Sequence, residues 1–398
     1  MAADWSSLPI DLLSAIALEL ETVEGLIYFS AVCRSWNHAS SSIKHLWEGD
    51  SVPWLLLAEK NKENPDCIRK IFNLDNNKCY KLNLPETFGA RCWGSPYGCI
   101  AMVGRDLNVQ LFNPITKVKL QFPSCETVPH PPEYFDGIRH GEDYYQWCLR
   151  DFVNKLIVIK VSQDDDHEFV IAILYDCHDL AFARHGDQSW ASVLTPKDGG
   201  EAVVDLVTVN NCVLGLCVDG AILFWKANEL LGRELVKPMK FSPSNLENFD
   251  WDLGIQLRYF VHSGSDFLMV IRYKCIELNS NRNDYDCDTV FQTCQFEVYK
   301  LKGEIWEETE DIGSEALFVG CNQSMSVSVT VTMSECLQPN CIYFTNDRTC
   351  CWNLMTELGG YDMGVYDIKS GEICRFYEGD DTHSSFCPPI WFAPDFRK

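Results

Sequence analysis

The sequence predicts a mainly β fold: a propeller of five or six blades, preceded by a short helical unit. Two observations carry this expectation. Apolar residues recur at three- and four-residue steps over residues 5 to about 48, and from about Cys67 onward the period changes to two. The second region then holds about 22 runs of four to eight β-branched and aromatic residues, separated by turn dipeptides. Units of four such runs, about 45 to 55 residues each, suit blades that bury their faces against neighbouring blades. A sandwich would need fewer, longer strands at less regular spacing.

The helical elements come first. Leu8, Leu12, Leu13, Ile16 and Leu20 share one helical face, and Ser7 ahead of Leu8-Pro9 suits a start, so a helix is expected over 9–20. Leu26, Phe29, Val32, Cys33 and Trp36 keep the same spacing and predict a second helix capped by Thr22. Gly25 falls in its first turn, where the usual glycine penalty of ~1 kcal/mol is softened. A short third helix is expected through Ile43, Leu46 and Trp47. A unit of under about 50 residues buries its apolar faces poorly by itself, so its core should be completed by another protein.

The strand runs follow. RKIFNL, CYKLNL, CIAMV, NVQLF and KVKLQF come early, then KLIVIKV, FVIAILY, AVVDLVTV, CVLGLCV and AILFW, and later IQLRYFV, DFLMVIRY, CQFEVYKL, SVSVTVT and CIYFT. Turn signals divide them at Asp75-Asn76-Asn77, Val218-Asp219-Gly220, Lys302-Gly303-Glu304 and Ser370-Gly371-Glu372. Pro123 to Pro132 and Asn245 to Asp252 read as inter-blade loops, and Asp164-Asp165-Asp166 as a solvated hairpin turn.

Charge excludes some partners. With 57 acidic against 33 basic residues, the net charge of −24 repels phosphate backbones, and no basic run is long enough to reverse that field locally. No nucleic acid and no membrane partner is expected, because the longest apolar run, Phe169 to Tyr175, is far short of the roughly 20 residues of a spanning helix. The chain should bind protein.

The 20 cysteines raise the question of disulfides or metal. Met1 to Leu20 carries Asp4, Asp11 and Glu19 and no Lys or Arg, unlike a secretory signal, so reduced thiols in the cytoplasm or nucleus are expected. The Asn322-Gln323-Ser324 sequon carries little weight without export. No Cys-x-x-Cys pair occurs, and Cys212 with Cys217, or Cys336 with Cys341, lacks a second matching pair with His. Asp284, Asp286 and Asp288 imitate a calcium loop that fails at Thr289 and Gln295. Nucleophile elbow, phosphate loop and zincin helix are all missing, and Gly359-Gly360 to Gly364 lacks the Lys that a phosphate loop needs. No cofactor, no metal and no catalytic residue is therefore expected. Trp147, Trp190, Trp225 and Trp251 are read as blade packing rather than as binding anchors.

The residues also match a family. SLPIDLLSAIALELETVEGLIYFSAVCRSWNHAS resembles an F-box, with Leu8-Pro9, Asp11-Leu12-Leu13, Ile16, Leu20 and Val32-Cys33-Arg34-Ser35-Trp36 in order. The remainder is similar to the plant KIB-type β-propeller: PWLLL at Pro53 to Leu57, GSPYGCIAMV at Gly94 to Val103, LNVQLFNPITKVKLQFP at Leu107 to Pro123, then FEVYKLKGEIWEETEDIGSEALFVGCNQSMSV, CIYFTND, MGVYDIKSGEI and PPIWFAP.

This resemblance implies an F-box at 1–48, a linker at 49–66 and a propeller at 67–398. It further implies a substrate receptor of a Skp1–cullin–F-box ubiquitin ligase, with an unknown protein target and no catalysis of its own. The adaptor-facing positions would be Leu8, Pro9, Leu12, Leu13 and Ile16, with Val32, Cys33 and Trp36 in contact or support. A scaffold or inhibitor using the same propeller without delivering a target is the alternative.

Overall fold

The computed structural model describes residues 5, 8–20, 23–43, 52–58, 67–75, 77–129, 152–161, 169–176, 179–193, 202–209, 212–226, 238–245, 256–277, 290–331, 333, 336–346, 362–377, 379, 384 and 387–395. Three helices come first: α1 Ile10–Leu18, α2 Val23–Ala31 and α3 Arg34–Ile43. Pro9 occupies the N-cap of α1, and its carbonyl accepts the N–H groups of Leu12 and Leu13 at 3.1 Å each. A proline suits this position because it has no N–H to leave unpaired. The caps expected at Ser7 and Thr22, and the apolar positions Leu46 and Trp47, lie outside the described residues.

The structure corrects the reading of the second and third helices. The apolar set from Leu26 to Trp36 does not form one helix: the chain leaves α2 at Val32 and Cys33 and restarts at Arg34. The Val32 N–H closes a tight turn on Phe29 O at 3.2 Å, and the Asn37 amide spans the corner to Ser30 O at 3.2 Å. Trp36 thereby returns to Phe29, with ring centroids 4.4 Å apart.

Six sheets form the ring. The first holds β1 Trp54–Leu56, β2 Ile68–Asn73 and β3 Lys78–Asn83; the second β4 Arg91–Gly94, β5 Ile100–Val103, β6 Val109–Phe112 and β7 Lys119–Phe122. The third contains β8 Val153–Lys160, β9 Phe169–Tyr175, β10 Asp179–Arg184 and β11 Ala191–Ser192. The fourth contains β12 Val203–Val209, β13 Cys212–Cys217, β14 Ile222–Lys226 and β15 Met239–Phe241. The fifth has β16 Gln256–Ser263, β17 Asp266–Glu277, β18 Val290–Lys302 and β19 Ile305–Glu308; the sixth has β20 Glu315–Val319, β21 Met325–Ser328, β22 Cys341–Phe344, β23 Gly364–Asp367 and β24 Ile373–Cys374. This resolves the expected five or six blades to six.

The final strand, β25 Ile390–Phe392, returns to the first sheet and pairs antiparallel with β1, Trp54 opposite Phe392 and Leu56 opposite Ile390. A strand from the far end of the chain thus completes the first blade to four strands and ties the two ends of the ring together. The first blade also begins earlier than expected. β1 lies inside the 49–66 segment read as a linker, because PWLLL is a short fully buried strand rather than a connection.

The second, third, fourth and fifth sheets are simple antiparallel meanders, whereas the sixth is not. There β20 pairs antiparallel with β21 on one side and parallel with β22 on the other. The turn between β20 and β21, residues 320–324, is buried. It enters the middle of the ring, where the inner strands β25, β4, β8, β12, β16 and β21 approach one another in sequence.

There Gln323 reaches three other blades: its N–H donates to Gly94 O at 2.9 Å, its Oε1 accepts the Val158 N–H at 3.2 Å, and its Nε2 lies 3.5 Å from Thr208 Oγ1. Asn322, the sequon asparagine, is wholly buried and donates to Phe318 O and Gln323 O, which closes it to a glycan in the folded chain.

Trp190 and Trp225 are buried, and the Trp190 indole N–H donates to Ser124 O at 3.0 Å, so both serve blade packing; Trp147 and Trp251 lie outside the described residues. Cys275 of β17 and Cys294 of β18 are joined as a disulfide, where the sequence reading expects reduced thiols. The acidic turn at 164–166 and the aspartates at 284, 286 and 288 lie outside the described residues.

Candidate functional site

Helix α1 has the sequence IDLLSAIAL, in which only Asp11 and Ser14 are polar. A helix apolar on every side is normally enclosed on every side. This one is not. Leu13 and Ala17 face inward and are fully buried with Phe29 and Ala39, while Leu8, Leu20 and Trp36 pack partly against them. Leu12 is 53% exposed and Ile16 38% exposed, one turn apart on the same stripe. Ile10 and Leu18 are exposed as well.

The corner after α2 adds to the uncovered surface. Val32 is 57% exposed and Tyr28, one turn earlier, 69% exposed. The same break that splits the helices places Val32 outside and leaves Cys33 half-buried. Trp36 is half-buried, one ring face on Phe29, and its indole N–H donates to Trp5 O at 3.0 Å. That bond draws Trp5, itself 62% exposed, onto the unit.

The eight positions singled out from the sequence therefore divide by exposure. Pro9, Leu12, Ile16 and Val32 are exposed; Leu8, Cys33 and Trp36 are half-buried; Leu13 is enclosed. Leu13 supports the helix from within and presents no surface, because it lies about 60–100° round the helix from Ile16 and Leu12. Trp5, Ile10, Leu18 and Tyr28 are exposed apolar residues the sequence reading did not name. Ile10 and Leu18 were findable by counting apolar residues on all sides of α1 rather than along one face. Covering Leu12, Ile16 and Val32 at ~25 cal/mol per Å² would gain a few kcal/mol before association costs.

Among the described residues no group of three or more His, Cys, Asp or Glu side chains is placed to hold a metal ion, and no helix is long and apolar enough to cross a membrane. Cys212 and Cys217 are the two ends of β13, roughly 17 Å apart at strand rise and on opposite faces, so they cannot share a ligand.

Comparison with known proteins accounts for both parts. Residues 5–47 match the F-box domain and residues 71–367 the KIB1-4 β-propeller. F-box protein SKIP23 of Arabidopsis thaliana is 23% identical over 415 residues, covering 97% of this chain and 94% of the relative. The F-box/kelch-repeat protein KIB1 of the same plant is 22% identical over 390 residues, covering 94% and 86%. With a helical unit at one end, a closed six-bladed ring filling the rest, and relatives aligned across nearly the whole length, the chain belongs to the F-box proteins that carry a KIB1-4 β-propeller.

Proposed function

We propose that the chain is the substrate-recognition subunit of a Skp1–cullin–F-box ubiquitin ligase, acting in the cytoplasm or nucleus. The observation that carries this reading is α1, an almost wholly apolar helix enclosed on one side only. Its exposed stripe, Leu12 and Ile16 with Pro9, Val32 and the half-buried Leu8, Cys33 and Trp36, docks on a Skp1-like adaptor and through it on cullin. The propeller holds a target protein. The receptor works by position: it raises the local concentration of target lysines near a charged conjugating enzyme, and no group of its own takes part in the transfer.

The test is binding of the full chain to purified Skp1-like adaptor, alone and with Leu12→Ala and Ile16→Ala combined. Wild type should bind and the double variant should lose at least about tenfold in affinity, since each lost anchor removes roughly 1 to 2 kcal/mol. Wild type that ignores the adaptor, or a variant that binds equally well, overturns the reading. Target turnover with and without residues 1–48 then separates a receptor from a scaffold, which would leave half-life unchanged.

A further inference from the structure

We propose that Cys275 and Cys294 are a reversible dithiol–disulfide exchange site that sets how firmly the fifth blade is pinned to the sixth. The pair sits across β17 and β18 with Cα atoms 5.9 Å apart, within the range a disulfide spans without moving the backbone. Both residues are exposed, so an exchange partner can reach them.

Their meeting has a local cause. The β17–β18 register slips by one residue: Tyr273 faces Gln295 while Lys274 faces Thr293, so Cys294 is the extra residue of a bulge. The bulge turns it out of the ladder toward Cys275. The reduced state is provided for too, because Tyr273 O lies 3.5 Å from Cys294 Sγ and would accept its thiol proton.

The neighbours of the two cysteines tie this site to the next blade. Lys274 and Thr293, each adjacent in sequence to one cysteine, both engage Asp362, which lies two residues before the sixth blade's β23. The Lys274 ammonium lies 3.3 Å from Asp362 Oδ2, and the Thr293 N–H donates to Oδ1 at 2.9 Å. Arg272 completes the group, donating from Nη2 to Asp362 Oδ2 at 2.9 Å and from Nε to Thr293 Oγ1 at 2.7 Å. A crosslink beside Lys274 and Thr293 fixes the strand pair that presents them. Its loss frees the bulge and loosens the grip on Asp362.

The chemistry is exchange with a dithiol. A thiolate of the reductant attacks one sulfur of the pair, the Cys275–Cys294 bond breaks, and a mixed disulfide forms. The second thiol of the reductant displaces the remaining cysteine, so two electrons and two protons pass to the protein and the reductant leaves as a disulfide.

The test uses the full chain in dithiothreitol and in oxidised glutathione, followed by differential alkylation with mass spectrometry and by amide hydrogen exchange. Alkylation should find the two cysteines bonded to each other in oxidised glutathione and both modified in dithiothreitol. Exchange in peptides covering 290–295 and 362–367 should rise about tenfold on reduction. Cys275→Ser with Cys294→Ser should match the reduced protein in both buffers, which separates this pair from the other thiols. Two thiols that stay unbonded in oxidised glutathione, or wild-type exchange in these peptides that does not change between buffers, overturns the proposal without need of the variant.

Discussion

The ammonium of Lys155 on β8 lies 2.5 Å from Oδ1 of Asp205 on β12, and the other carboxylate oxygen reaches two further blades. Oδ2 accepts the Phe260 N–H of β16 at 2.9 Å and the Ser324 hydroxyl of the sixth blade at 3.1 Å. One buried carboxylate thus joins four blades at the centre of the ring. Asp205→Ala leaves Lys155 as an uncompensated buried charge and orphans the Phe260 N–H, so about 3–5 kcal/mol of stability should be lost. Asp205→Asn keeps an acceptor for Phe260 and should lose less. Lys155→Met with Asp205→Leu should recover only part of the loss, because Phe260 and Ser324 stay unpaired. Urea unfolding midpoints for the four proteins should follow that order.

Ring closure rests on a glycine. A Cβ at Gly94 of β4 would fall 1.8 Å from Trp391 O, on the backbone of the closing strand β25, where nothing can swing aside. Gly94→Ala should therefore push β25 from its seat and cost several kcal/mol, read as a lower melting temperature and as faster proteolysis near the C-terminus. Gly303, in the turn between β18 and β19 with φ +60, is a contrast: a Cβ there meets no atom within 4 Å. Gly303→Ala should cost only about 1 kcal/mol, from the backbone conformation alone.

The Asp362 carboxyl predicts a pH dependence. Burial by itself would push it up, but the charges of Arg272 and Lys274 together with the Thr293 N–H outweigh burial and hold it below its ordinary value of 3.8. A depressed carboxyl contributes stability that is present above the unfolded value and lost as pH falls through the lower folded value. Asp362→Asn should therefore cost about 3–5 kcal/mol at neutral pH, where it removes the carboxylate charge that Arg272 and Lys274 share. The gap between variant and wild type should narrow as pH drops below about 4. Unfolding free energies of both proteins across that range check it, and a gap independent of pH would contradict the assignment.

The parts of this fold that were legible before the structure are those that local pattern encodes. FVIAILY became β9, buried at all seven positions, and a strand covered on both faces reads as an unbroken apolar run. The turn signals at Gly220, Gly303 and Gly371 sit at positive φ, as their residue type demands. What was not legible depends on distance along the chain. Asp205 reads as one polar residue in AVVDLVTV, yet its partners lie 50, 55 and 119 positions away. PPIWFAP holds the strand Ile390–Phe392, which was not among the runs read as strands, and nothing in it says that it pairs with residues 54–56. In the candidate site the helix break at Val32 and Cys33 was hidden, because apolar spacing stays in phase across it, and with it the exposure of Val32 and Tyr28.

The F-box unit offers a separation of stability from binding within one helix. Leu12 and Leu13 are adjacent in sequence, yet Leu12 is half exposed and Leu13 is enclosed by Ala17, Phe29 and Ala39. Leu13→Ala deletes buried methyl groups from a core with few residues to close around the hole, so about 2–5 kcal/mol should be lost from the unit. Its helical signal should melt earlier, and adaptor binding should weaken only through the fraction unfolded. Leu12→Ala removes a side chain already in water and should leave melting within about 0.5 kcal/mol of wild type. Its effect should fall on adaptor affinity alone. Circular dichroism melting paired with calorimetric titration of the adaptor checks both at once; equal effects of the two substitutions on melting would show that Leu12 is covered within the chain and is not a docking residue.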